Sequence, residues 1–134
     1  MTHPENPAYA GITQTEFTLP ATRRAGRLTA RNAVIMSPGR IDRSPCGTGT
    51  SARLAVMHAR GEVQVGEELV HESILGTTFS GRIEELATVG GIPAVTCSVA
   101  GQAYITGITQ SGVDPADPFP EGYALSDTWP GATG

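Results

Sequence analysis

One stretch, Asp42-Arg43-Ser44-Pro45-Cys46-Gly47-Thr48-Gly49-Thr50-Ser51-Ala52, and the run behind it constrain the fold more than anything else in the chain. Asp42 and Ser44 are residues that cap helix N-termini, and Pro45 suits a first helical turn. From Ala52 the run continues through Arg53-Leu54-Ala55-Val56-Met57-His58-Ala59-Arg60 without glycine or proline, and Gly61 is a natural C-terminal stop. This predicts one helix over residues 47–60, about 21 Å long at ~1.5 Å per residue. Ala52, Ala55, Val56 and Ala59 form an apolar stripe on it, with Leu54 and Met57 away from that stripe. So narrow a polar face predicts a helix buried deeply or wrapped by sheet. A thiol, Cys46, then sits at the positive end of the helix among glycines and hydroxyls whose backbone N–H groups are open. Such a terminus favours thiolate and binds anions, a carboxylate or a phosphate among them.

Past Gly61 the helical period disappears. Seventeen glycines and ten prolines divide the remainder into short strands. Residues 14–19 read as a strand with Phe17 and Leu19 on one face, 27–36 as a strand that turns apolar toward Met36, and 20–26 as a charged connection carrying Arg23 and Arg24. Residues 67–75, 77–86, 92–99 and 102–109 read as further strands, the last with Tyr104, Ile105 and Ile108. Residues 1–10 are a Pro-rich lead-in. Residues 111–134 are an extended tail in which Asp114 and Asp117 shape turns and Tyr123 and Trp129 pack as anchors. The expectation is a single α+β domain over 1–134, an antiparallel-rich sheet or partial barrel wrapped round one central helix.

Charge and composition narrow the chemistry. A net charge of −4 points away from nucleic acid and from anionic membrane. No apolar run is long enough to span a bilayer, and the first residues lack the features of a secretory leader. Two cysteines, Cys46 and Cys97, make no disulfide framework, so a reduced, cytoplasmic protein is expected. All nine basic residues are arginine. A nucleotide phosphate loop needs a lysine and is therefore excluded. Arg53 stands seven residues after Cys46, down the helix, which misplaces it for a cysteine phosphatase. His58 is too far along the helix to serve a Cys–His hydrolase, His71 could reach Cys46 only through tertiary folding, and scattered His and Cys residues supply no metal site. What remains is a thiol acting as acid or base on a carboxylate-bearing substrate. The carboxylate would dock on the N–H groups of Gly47 and Thr48, Cys46 would face the adjacent carbon, and Asp42 would accept from the substrate's ammonium.

The stretch 42–52 resembles the second catalytic signature of the proline racemase family, which includes 4-hydroxyproline 2-epimerases and 3-hydroxyproline dehydratases. The resemblance extends through Arg31-Asn32, His71-Glu72-Ser73-Ile74-Leu75-Gly76-Thr77, Phe79, Gly81, Gly101-Gln102-Ala103-Tyr104-Ile105-Thr106-Gly107 and Asp117-Pro118-Phe119, nearly the whole chain. It implies cofactor-free proton transfer between two cysteines at the α-carbon of proline or a hydroxyproline. In it Cys46 looks like the second base, and Asp42, Gly47 and Thr48 look like the substrate-binding set. A cysteine rather than threonine at position 46 favours racemase or epimerase chemistry over dehydration. Thr13 falls where some epimerases carry a substrate-binding histidine.

Family members are much longer and have two similar halves, the first with its own Cys-Gly-His type signature. No such signature occurs here, and Cys97 lies in a strand-like context without glycines. The resemblance therefore implies a C-terminal half, one half of a diaminopimelate-epimerase-like fold, completed by a missing N-terminal half or a second copy. The alternatives are a non-catalytic remnant, a thiol protein that binds small carboxylates, or a hydroxyproline dehydratase.

Overall fold

The computed structural model describes residues 2–120 and residue 122. The anchoring roles expected of Tyr123 and Trp129 lie outside the described residues. The chain divides into two units, residues 1–103 and 104–134.

The first unit contains β1 (Gln14–Thr18), β2 (Thr22–Arg24), β3 (Arg27–Met36), β4 (Arg40–Ile41), α1 (Gly47–Ala59), β5 (Glu68–Ser73), β6 (Thr78–Val89) and β7 (Ile92–Gly101). The strands form one sheet in the order β1-β3-β5-β6-β7, with β2 and β4 also paired to β3. Every pairing is antiparallel except β3 with β5. A parallel pair needs a crossover, and α1 lies on that connection. The antiparallel-rich α+β architecture is as the sequence predicts.

Strict alternation builds the core. In β3, Leu28, Ala30, Asn32 and Val34 face inward; in β5, Leu69, His71 and Ser73 do so. Leu28, Ala30, Leu69 and Ile83 meet Leu54, Met57 and Val63 in one cluster, with Cys97 packed against its edge. The sheet covers α1 through β6 and β7. Gly81 in β6 permits the approach, since a Cβ there would lie 2.7 Å from Thr50 Cγ2 and 3.1 Å from Leu54 Cδ1. The helix stops as expected: Gly61 takes φ 74°, its N–H donates to His58 O, and the Glu62 N–H donates to Met57 O.

Three expectations are corrected. The N-cap is Cys46, not Asp42 or Ser44, and Pro45 lies outside the helix. The buried face of α1 is Gly49, Thr50, Leu54 and Met57, while Ala52, Val56 and Ala59 are exposed. Branched and long side chains fill the space above the sheet, and the small alanines turn away from it. Residues 102–109 form no strand; Tyr104, Ile105 and Ile108 are exposed and have no ladder among the described residues. β-branched residues favour a strand only where a neighbour supplies pairing and burial.

In the second unit Asp114 accepts the Ala116 N–H and Asp117 accepts the Phe119 N–H, both through Oδ1, so these aspartates shape turns as expected.

Candidate active site

The chain leaves β3 through Ser37-Pro38-Gly39, adds β4, and returns to the sheet when the Asp42 N–H donates to Val34 O at 2.9 Å. From there a sequence of local bonds sets the thiol. Asp42 Oδ1 accepts both the N–H and the hydroxyl of Ser44 at 2.9 Å. Ser44 Oγ in turn accepts the Cys46 N–H at 3.1 Å. Two bonds from outside the turn hold it: Thr77 Oγ1 donates to Arg43 O at 2.9 Å, and Asn32 Nδ2 donates to Pro45 O at 2.7 Å. Asp42 and Ser44 thus shape the approach to the helix rather than capping it. Arg43 makes no ion pair among the described residues.

Cys46 itself adopts φ 64° and ψ 124°, a left-handed conformation that L side chains rarely occupy. The cost, about 1–3 kcal/mol, is one that persists only where surrounding contacts over-determine the backbone. Its sulfur serves as the N-cap acceptor, with the Gly49 N–H donating to Sγ at 3.4 Å. The thiol also faces Gln14 Oε1 of β1 at 3.9 Å. The residue is only 7 % exposed, yet its sulfur has polar partners rather than hydrocarbon alone. The first intrahelical bond runs from Thr50 N–H to Cys46 O. The N–H groups of Gly47 and Thr48 lie before that bond and find no acceptor among the described residues. Gly47 is half-buried and Thr48 exposed, so this end of the helix opens to solvent. The structure therefore brings Cys46, Gly47 and Thr48 together at one helix mouth, with Asp42 in the turn that precedes it.

Sequence reasoning missed the polar layer beneath. Glu16 on β1 points inward opposite Val34, and its carboxyl accepts from Asn32 Nδ2 at 2.9 Å. His71 on β5 is wholly buried, and its Nδ1 lies 3.0 Å from Thr50 Oγ1 on α1. Its Nε2 lies 3.5 Å from Glu16 Oε1. Burial, with Arg53 nearby, pushes the imidazole down to about 4, so it is neutral and the contact is not an ion pair at neutral pH. Burial also raises the Glu16 carboxyl, against the opposing effects of Asn32 and Arg53. An acidic residue at an inward position of an alternating strand was the available signal. Glu72, by contrast, pairs with Arg31 on the outer face.

Two grooves lie elsewhere: one of about 260 Å³ beside Phe17, Leu19, Ala33 and Ile74, another of about 430 Å³ between α1 and β7. Neither takes in Cys46. Cys97 is held differently from Cys46: burial and the nearby Glu84 raise its thiol.

A thiol on a strained helix cap, two open N–H groups and a carboxylate in the adjoining turn can bind an anion and exchange a proton beside it. Comparison with known proteins gives the family. The family model described as proline racemase matches residues 1–124. A probable proline racemase from Agrobacterium radiobacter, solved with bound carbonate, is 40% identical with a TM-score of 0.72 over 96% of this chain and 37% of its own. A hydroxyproline epimerase from Agrobacterium vitis, solved with bound trans-4-hydroxy-L-proline, is 40% identical with a TM-score of 0.72 over 96% of this chain and 36% of its own. The chain thus spans little more than a third of the length of either structure, and on the family match and these identities it belongs to the proline racemase family.

Proposed function

We propose that this chain is one half of a cofactor-independent proline racemase or 4-hydroxyproline 2-epimerase, in which Cys46 exchanges a proton with one face of the substrate α-carbon. The substrate carboxylate docks on the N–H groups of Gly47 and Thr48. There the helix terminus contributes roughly 0.3–1 kcal/mol when exposed and up to ~2 when partly buried, and more as charge grows on the α-carbon. One oxygen of Asp42 is engaged by Ser44; the other receives the ring ammonium. A second thiol, from the rest of a longer enzyme or from a second copy, serves the opposite face. In the whole enzyme the sheet closes round the exposed side of α1, as in half of a diaminopimelate-epimerase-like fold, and residues 111–134 form an extended tail. The reaction takes place in the cytoplasm, where both cysteines stay reduced.

The observation that carries this reading is the thiol's place as the cap of α1 beside two N–H groups that have no acceptor among the described residues. Pyrrole-2-carboxylate, a planar analogue of proline, tests it. The expected result is that this ligand slows carboxamidomethylation of Cys46 by iodoacetamide, read on the Cys46 peptide, and leaves Cys97 unaffected. A Cys46 that reacts at the same rate with saturating ligand would overturn the reading.

A further inference from the structure

We propose that Glu16 is a positioning residue for the Cys46 thiol: with His71 and Thr50 it forms a carboxyl–imidazole–hydroxyl cluster under the first turn of α1, and its carboxyl approaches the thiol-bearing residue at Gly49. The proposal rests on Cys46 being the reacting group, and it adds the element that governs when that group reacts.

The geometry converges on Gly49. A Cβ at that position would stand 3.5 Å from Glu16 Oε2, 3.3 Å from Cys46 Cβ and 3.2 Å from Val34 Cγ2. The missing side chain is what lets the carboxyl and the thiol-bearing residue approach the same point. The Gly49 N–H is also the group that donates to Sγ. Glu16 is fixed from two further sides. Asn32 Nδ2 bridges Glu16 Oε1 and Pro45 O, tying the carboxyl to the residue before Cys46. His71 closes the cluster from β5, and Thr50, on the same turn of α1 as Gly49, holds its other nitrogen.

His71 is neutral and carries one N–H. Thr50 Oγ1 lies against Nδ1, and Nε2 faces Glu16 without a hydrogen-bond partner among the described residues. Asn32 and Arg53 are the other polar groups that bear on the carboxyl, and Arg53 is the cation among them. His71 contributes no charge to offset it. A carboxylate opposes further negative charge gathering beside it, and a protonated carboxyl does not.

The full chain tests this through the pH profile of Cys46 carboxamidomethylation, followed on its own peptide from about pH 5 to about pH 9. Glu16→Gln should raise the rate roughly three- to tenfold near neutral pH. The two profiles should converge in acid, where wild-type Glu16 carries its proton, and Glu16→Asp should move the profile back toward wild type. A folded Glu16→Gln chain whose profile coincides with wild type, or is lifted by one constant factor at every pH, overturns the proposal. Should Glu16→Gln not fold, the wild-type chain decides: the Glu16 carboxyl ¹³C titration must move when Cys46 is carboxamidomethylated, and coincident curves overturn the proposal. Ligand protection of Cys46 with a silent Glu16→Gln would remove the positioning role and keep the proposed function. A responsive Glu16→Gln without ligand protection would do the reverse.

Discussion

At Cys46 the backbone is strained and the side chain is well held, a combination that local propensity never selects. The strain survives because Ser44, Asn32 and Gly49 each bond the turn from a different direction. His71 shows the same economy of environment in its titration. The folded chain keeps its imidazole neutral down to about 4, whereas the unfolded chain takes a proton near 6.5. The stability this contributes is therefore complete above pH 6.5 and is lost as pH falls from there toward 4, up to about 3 kcal/mol in all. Glu16 works in the opposite sense: its raised carboxyl contributes stability at low pH that disappears as pH rises through its folded value. Urea midpoints of wild type should fall across that acid window, and those of His71→Asn should fall much less. Equal acid sensitivity in both chains would assign the loss to other groups.

At the scale of elements, α1 shows where reading a sequence succeeds and where it fails. Its limits were legible because Gly61 must take a left-handed conformation and the run before it contains no breaker. The strands 27–36, 67–75, 77–86 and 92–99 were legible from alternation and bounding glycines. Which side of α1 is buried was not legible, because a helix apolar on several sides fits more than one orientation. The choice falls to Gly81 and the inward row of β3 and β5, residues distant in sequence. Of the site, Asp42, Cys46, Gly47 and Thr48 lie within seven residues and could be read together. Glu16, Asn32 and His71 come from three different strands and meet only once the β3–β5 register is set. The two faces of α1 make a direct prediction. Leu54 is fully buried, so Leu54→Ala should cost about 2–5 kcal/mol of unfolding free energy. Val56 is 44% exposed, so Val56→Ala should stay within about 0.5 kcal/mol. Comparable losses at the two positions, measured by urea denaturation of the isolated chain, would place the buried face elsewhere.

For the whole molecule, stereochemistry sets the argument. Inversion at a tetrahedral carbon removes a proton from one face and delivers one to the other, and one sulfur at a helix mouth can address only one face. Cys97 is poorly placed to act as a second base: it packs against the edge of the core, and burial and Glu84 raise its thiol. Proton exchange and inversion should therefore separate. The isolated chain, given L-proline or trans-4-hydroxy-L-proline in D₂O, should produce no epimer at an enzyme-like rate, as read by chiral chromatography. Addition of a relative's N-terminal half should restore inversion, with a rate that depends on both components and vanishes in Cys46→Ser. A rate that instead rises with the square of this chain's own concentration would identify a second copy as the source of the opposing thiol. Inversion by the isolated chain at a rate first order in its concentration would end the account in which two sulfurs on separate halves share one substrate.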